Sequence, residues 1–168
     1  MTSGGGRMLA SYRMSWLYRW QILIAFPLFA ILAVVMIVAA VRHQQGPPLA
    51  FTLLWFVTLG WNLYWFLFRL CYRIDLHEDV LYWWAPMRHG RLGLHQLRAV
   101  RPGRLGWNVA VFESMDGPDV VTLTQRGFKP FAAAVQAAAP HASVTVGRYA
   151  RLVERLPGFS RFRSGDGK

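Results

Sequence analysis

Two long apolar runs set the strongest limit on how this 168-residue chain can fold. Ile22–Val41 and Leu49–Phe68 are each 20 residues long and carry no charged side chain, and only the seven residues RHQQGPP separate them. At about 1.5 Å per residue, a helix of this length covers the roughly 30 Å hydrocarbon core of a bilayer. The runs therefore predict a transmembrane hairpin over residues 20–69, with spans at about 21–41 and 49–68.

The second run contains one amide side chain, Asn62, among its apolar and aromatic residues. An amide in hydrocarbon needs a hydrogen-bond partner, because no water is available to satisfy it. Asn62 is therefore predicted to make a helix–helix contact, either with the first span or with another copy of the chain.

The arginines predict the orientation of the hairpin. The first 73 residues contain six Arg and no Asp or Glu: Arg7, Arg13, Arg19, Arg42, Arg69 and Arg73. Only Arg42 lies in the loop between the runs, and basic residues remain on the cytoplasmic side. Both termini are thus predicted to be cytoplasmic in a multi-pass protein of the inner (plasma) membrane. A cleaved signal peptide is the alternative for the first run, but that run is longer than a typical signal-peptide core.

The net charge of +11 raises the question of a nucleic-acid partner. The excess positive charge is concentrated beside the apolar runs, where anionic lipid headgroups attract Lys and Arg by about 1 kcal/mol each. The predicted partners are therefore membrane lipids with anionic headgroups, and nucleic acid is not expected.

After the hairpin the pattern changes to short alternating segments. YRIDL and VLYWWA flank the polar turn His77-Glu78-Asp79, and RHGRLGLHQLRAV, WNVAVFE and VVTLT follow between turn sequences. Five or six strands at this spacing are typical of an antiparallel sandwich or barrel. FKPFAAAVQAAAP then predicts a helix that places Phe128, Phe131 and Val135 on one face as a cap.

This order of segments, from the hairpin through YRIDL, VLYWWAP and RHGRLGLHQLRAVRP to GFKPF and the alanine-rich helix, resembles the bacterial PH-like (bPH) domain membrane proteins. The resemblance covers about Leu70–Val146 and extends to the hairpin. It implies a PH-like fold, a seven-stranded bent sandwich with a C-terminal helix, and a non-enzymatic role at the membrane. Phosphoinositide-binding PH domains have a basic first hairpin loop, whereas His77, Glu78 and Asp79 occupy that loop here, which argues against a phosphoinositide pocket at that position.

The expected fold class is therefore an α+β membrane protein, in which a two-helix transmembrane hairpin precedes a small PH-like antiparallel β-sandwich or barrel capped by a helix. The predicted organisation is a flexible basic segment at 1–19, the hairpin at 20–69, the PH-like domain at 70–146 and a basic amphipathic tail at 147–168. The tail spaces Tyr149, Leu152, Val153 and Leu156 as a short helix. Docking on the membrane interface, docking on the domain or another protein, and disorder remain open for it.

Ten arginines are predicted to contact the membrane surface, lipid or a partner. They are Arg88, Arg91, Arg98, Arg101, Arg104, Arg148, Arg151, Arg155, Arg161 and Arg163. The first five fall in a 17-residue segment that contains no acid. The alternative for those five is ordinary solvated charge that discourages pairing of sheet edges.

No catalytic or metal-binding residues and no cofactor are predicted. His89 and His95 lie six residues apart, or about 20 Å on a straight strand, which is too far for them to share a metal ion. A solvated turn explains His77, Glu78 and Asp79 with Asp75, and Cys71 alone fits a small buried thiol.

Three functions are consistent with this pattern. The first is a non-enzymatic module that docks a protein partner or anionic lipid beneath the membrane. The second is a small structural or accessory subunit of a larger membrane complex, or a homo-oligomer. The third, a membrane enzyme acting on envelope lipids, has no supporting residue constellation.

Overall fold

The computed structural model describes residues 7–43, 49–103, 108–153 and 162–164. The chain forms two units: a helical unit, Trp16–Leu67, and a domain that combines Met1–Ser15 with Phe68–Lys168. The helical unit is therefore an insertion into the domain. The described part of the chain is α+β, as the sequence predicted, and it contains two sheets and four α-helices.

The helical unit consists of α1 (Trp16–His43) and α2 (Leu49–Tyr64), and a π-helical turn, Trp65–Arg69, continues α2. Helices thus form over both apolar runs. One described segment, Ala50–Arg69, is long and apolar enough to cross a membrane by length and composition, and Leu23–Ala39 is a shorter apolar helix.

The domain contains ten strands and two helices in its described residues. In chain order they are β1 (Met8–Arg13), β2 (Leu70–Cys71), β3 (Arg73–His77), β4 (Val80–Trp84), β5 (His89–Gly93), β6 (Leu97–Pro102), β7 (Val109–Ser114), β8 (Val120–Leu123), α3 (Phe128–Ala138), β9 (Ser143–Val144), α4 (Arg148–Val153) and β10 (Phe162–Ser164). The first sheet has the order β10–β1–β3–β4–β5 and is antiparallel throughout. The second has the order β2–β8–β7–β6–β9 and is mixed, because its two outer strands are parallel to their neighbours.

One hydrophobic core joins both sheets and α3. The predicted apolar face of α3 is confirmed, since Phe128, Phe131 and Val135 are all buried. Tyr12 of β1 is also buried, and its ring lies 5.5 Å from that of Phe128 and 5.6 Å from that of Phe131. The strand that precedes the helical unit is thus part of the same core as the segments that follow it.

The N-terminal segment differs from its prediction. Residues 8–13 were expected to belong to a flexible segment, yet they form β1, which pairs with β3 on one side and with β10 on the other. β1 has only six residues. Three consecutive residues in it, Ala10, Ser11 and Tyr12, are all buried instead of alternating between buried and exposed. This short strand therefore lacks the alternation by which a strand is usually recognised.

The segment RHGRLGLHQLRAV was predicted as one alternating strand, and this was wrong. It contains β5, a 3₁₀ turn at Leu94–Gln96 and then β6, and the two strands belong to different sheets. The backbone N–H of Leu94 donates to Asp79 O at 2.8 Å, which holds the turn against the β3–β4 connection. A 3₁₀ turn preserves the burial of Leu92, Leu94 and Leu97, so the apolar spacing alone could not reveal it.

Candidate functional site

The predicted arginines that the structure describes lie on different elements of the domain and do not form one cluster. Arg88 lies in the β4–β5 turn and Arg91 in the middle of β5, whereas Arg98 and Arg101 are exposed on β6 in the other sheet. Arg101 pairs with Glu113 of the neighbouring strand β7. Arg88, Arg91, Arg98 and Arg101 therefore do not form one basic face. Arg104, the fifth arginine of the acid-free segment, lies outside the described residues.

The described parts of the C-terminal tail belong to the domain. α4 begins at Arg148, which is exposed, and its Ala150 is buried in the core. Arg151 donates from Nη2 to Val146 O at 3.4 Å. The backbone of Arg163 pairs with Ser11 of β1, while Arg155 and Arg161 lie outside the described residues.

The helical unit contains an apolar cleft of ≈ 360 Å³ between its two helices. Phe26 and Phe29 of α1 and Trp55, Thr58 and Asn62 of α2 line it. Asn62 donates from Nδ2 to Thr58 O at 2.8 Å, so its described hydrogen bond is within α2. One alternative of the prediction was a bond from Asn62 to the first helix, and the described bond is not of that kind. The indole Nε1 of Trp55 is buried without an acceptor in the described structure.

A buried carboxylate joins the strands on the two sides of the helical unit. Asp75 of β3 is 3% exposed and accepts a hydrogen bond from the hydroxyl of Ser11 in β1 at 2.6 Å. It also pairs with the guanidinium of Arg73 at 2.5 Å, and that guanidinium lies 4.8 Å above the centre of the Trp84 ring. The predicted solvated cluster around Asp75 is therefore divided: Glu78 and Asp79 are exposed in the turn, but Asp75 is a buried structural group.

Arg13, Arg73, Trp84 and His89 form one end of the first sheet, which we call the exit end. Each is the register partner of the next across β1, β3, β4 and β5. The backbone N–H of Met14 donates to Tyr72 O at 2.8 Å, just beyond this row. The chain thus leaves the domain for α1 and returns from α2 at neighbouring positions of this end.

Sequence reasoning missed Arg13 and Trp84 as members of one surface. Arg13 and Trp84 belong to one row because β1 pairs with β3. In the sequence these two strands are separated by the helical unit, which has more than fifty residues. The available signal was the segment MLASYR directly before the first helix, which is rich enough in apolar residues to form a strand.

The Cys71 thiol is buried at 1% exposure beside β8. Burial raises its pKa to about 12, against the smaller opposing effects of a backbone hydrogen bond at Val121 and the charge of Arg88. Because the thiolate is the nucleophile, this cysteine is poorly suited to covalent chemistry at neutral pH.

The histidines do not converge on a metal site within the described ranges. His89 lies on β5, whereas His95 lies in the 3₁₀ turn, so the two histidines are not on one straight strand. No group of three or more His, Cys, Asp or Glu side chains in the described residues could hold a metal ion.

A scan of this chain against protein-family models found no matching family, and searches of curated proteins and of solved structures likewise found no match.

Proposed function

We propose that this protein is a non-enzymatic integral membrane protein, related to the bacterial PH-like membrane proteins. In this proposal α1 and α2 span the inner membrane, and the two-sheet domain lies on the cytoplasmic side, where it binds anionic lipid or a protein partner. The observation that carries the proposal is the direct pairing of β1 with β3 across the inserted helical unit.

That pairing supports an even number of membrane crossings. β1 precedes α1 and β3 follows α2, and five register pairs from Met8–His77 to Arg13–Arg73 join the two strands. Ladder hydrogen bonds require both strands to be on the same side of the bilayer. If α2 crosses the bilayer, α1 must therefore cross it in the opposite direction. This holds although the apolar segment of α1, Leu23–Ala39, is shorter than Ala50–Arg69.

The exposed surface of the helices supports a hydrocarbon environment. Leu23 and Ile24 of α1 are 57% and 60% exposed, and Leu54 and Val57 of α2 are 63% and 69% exposed. Soluble monomers rarely leave contiguous apolar patches larger than a few hundred Å² open to water. Lipid or other transmembrane helices would cover this surface.

The arrangement of charge supports the cytoplasmic location of the domain. Arg13, Arg69 and Arg73 are close in sequence to the helix ends that connect to the domain, whereas Arg42 is the only arginine at the other end of the hairpin. Basic residues near span ends remain on the cytoplasmic side.

Cysteine accessibility tests this topology. Gln45→Cys places a thiol in the loop between the helices, and Met115→Cys places one in the exposed β7–β8 turn. A membrane-impermeant maleimide should label position 45 in intact cells and position 115 only in inverted vesicles, and the unsubstituted protein reports the background from Cys71. Labelling of both positions from the same side would disprove a two-span hairpin.

A second function, that of an accessory subunit, is favoured by the cleft between α1 and α2. The cleft is apolar, yet it includes the amide of Asn62 and is bordered by a buried indole N–H without an acceptor. A further transmembrane helix could fill the cleft and supply a polar partner. Cross-linking from Thr58→Cys in native membranes should capture a stoichiometric partner, and recovery of monomer alone would exclude this function.

A further inference from the structure

Basic and aromatic side chains lie together at the exit end of the first sheet. Arg13 and His89 are exposed at its two sides, and the side chain of Arg73 is 34% exposed between them. The guanidinium of Arg73 lies over the ring of Trp84 and pairs with Asp75. Indole and guanidinium groups together suit the headgroup level of a membrane.

The β4–β5 turn extends this end by four residues, Ala85 to Arg88. Ala85 and Arg88 exchange backbone hydrogen bonds of 2.7 and 3.4 Å, which closes the turn tightly. Met87 is consequently held at the tip with 63% of its surface exposed, and the exposed Arg88 lies beside it. The turn therefore presents an apolar tip next to a cation.

Charge is sorted along the strands of the first sheet. The opposite end carries the exposed acids Glu78 and Asp79 in the β3–β4 turn, about 16 Å from the exit end for a five-residue strand. No Asp or Glu occurs between Val80 and Phe112. Two acids lie close to the exit end and its turn. Asp75 is buried against Arg73 and Ser11, and Asp119 of the β7–β8 turn lines a small pocket together with Arg88.

The second sheet offers a natural comparison in its β7–β8 turn. Met115 is 57% exposed there, almost as much as Met87. Its neighbours are acidic, with Glu113 before it and Asp116 and Asp119 after it. An anionic surface would repel this turn and attract the β4–β5 turn, although both present a methionine.

We propose that the exit end and the β4–β5 turn dock on anionic phospholipid headgroups, with Arg13 and Arg88 contacting phosphates and Met87 entering the interface. The inference rests on the proposed function, because it requires the helical unit to be in the bilayer. The occupant is the lipid surface because this end combines cations with an exposed apolar tip, and because the chain passes here into the two apolar helices. The domain is then held at the membrane by its own surface as well as by the hairpin.

The test uses full-length protein in nanodiscs, of phosphatidylcholine alone or with added phosphatidylglycerol. An environment-sensitive fluorophore is attached at Met87→Cys, at the matched control Met115→Cys, or at Val57→Cys in α2. The native Cys71 contributes little labelling, since it is buried and un-ionised at neutral pH. Lipids with a nitroxide at the headgroup or deep in the acyl chain then quench labels at the corresponding depth.

The expected result is headgroup quenching of the label at position 87 that is stronger with phosphatidylglycerol, and little quenching at position 115. Arg13→Gln with Arg88→Gln should lower the ratio of docked to undocked protein by on the order of 10-fold or more, since two surface cations are lost. Glu78→Gln, at the opposite end of the sheet, should leave this ratio unchanged.

The remaining outcomes separate the two proposals. If the label at position 57 is quenched from the acyl chain but positions 87 and 115 behave alike, the docking inference is overturned and the hairpin stands. Equal quenching at position 87 in both lipid compositions overturns the role of anionic headgroups. If position 57 is not quenched, the helical unit is not in the bilayer and both proposals fail.

Discussion

The helical unit and the domain use the same residue types in opposite ways. Leu54 and Val57 of α2 are more than half exposed, whereas Ile74, Leu81 and Phe131 of the domain are fully buried. Apolar burial stabilises the domain by about 25 cal/mol per Å² removed from water. No such gain is available to side chains that face outward, unless lipid or another helix provides the apolar environment. The contrast supports the proposal that the helical unit and the domain lie in different environments.

Truncation of a core aromatic should test this contrast most strongly. Phe131→Ala removes a ring that packs against Tyr12 and Phe112, and it should lower the free energy of unfolding of the domain by about 3–5 kcal/mol. Hydrogen exchange followed by mass spectrometry on the full-length protein in detergent measures this for each segment. The control Val57→Ala should leave domain protection unchanged, and an equal loss in both variants would contradict the division into two units.

Removal of the buried carboxylate should have the next largest effect. Asp75→Asn eliminates the ion pair with Arg73 and weakens the hydrogen bond from Ser11, so it should cost about 2 kcal/mol. The loss should appear as faster exchange in β1 and β3 together, because this group joins them. Glu78→Gln, in the exposed turn, is the matched control. Faster exchange confined to β3 would mean that β1 does not depend on this contact.

Alkaline pH should destabilise the domain through Cys71. The thiol has a pKa of about 12 when folded and 9.0 when unfolded, so the unfolded state loses its proton first as pH rises. Stability from this group is complete below pH 9.0 and decreases between pH 9.0 and 12, at up to about 1.4 kcal/mol per pH unit. The difference in unfolding free energy between the native protein and Cys71→Ala should therefore change above pH 9.0. A difference independent of pH would mean that the folded thiol ionises normally.

The smallest expected effect is in the helical unit. Asn62→Leu keeps α2 apolar and removes the one amide that lines the cleft, so it should weaken helix association by about 1 kcal/mol. Thr58→Cys cross-linking in the Asn62→Leu background measures the change, and Leu54→Ala, a substitution at an exposed position, is the control. Unchanged cross-linking would show that the amide does not select a partner helix.

The pattern of the sequence predicted several local elements of this fold. The 20-residue apolar runs predicted helices, the turn at Glu78-Asp79 predicted the β3–β4 hairpin, and the spacing of Phe128, Phe131 and Val135 predicted the buried face of α3. These features depend on periodicity within one segment, which the order of residues records directly.

The candidate site was less accessible, because its members are distant in sequence. Arg88 was anticipated as a surface cation, but nothing near it in the chain indicated that Arg13 belongs to the same end of the sheet. The split of RHGRLGLHQLRAV between two sheets likewise separated Arg91 from Arg98 and Arg101, which the sequence had grouped.

The sequence by itself determined the apolar character of the helical unit, the arginines beside it and the strands β3, β4, β7 and β8, because composition and periodicity are local properties. Only the tertiary structure decided that the hairpin is an insertion, with β1 before it and β3 after it in one sheet. The physical reason is that strand pairing is made by backbone hydrogen bonds, which any two extended segments can form. Which segments meet is settled by the shared core around Tyr12, Phe128 and Phe131 and by the buried contact between Ser11 and Asp75.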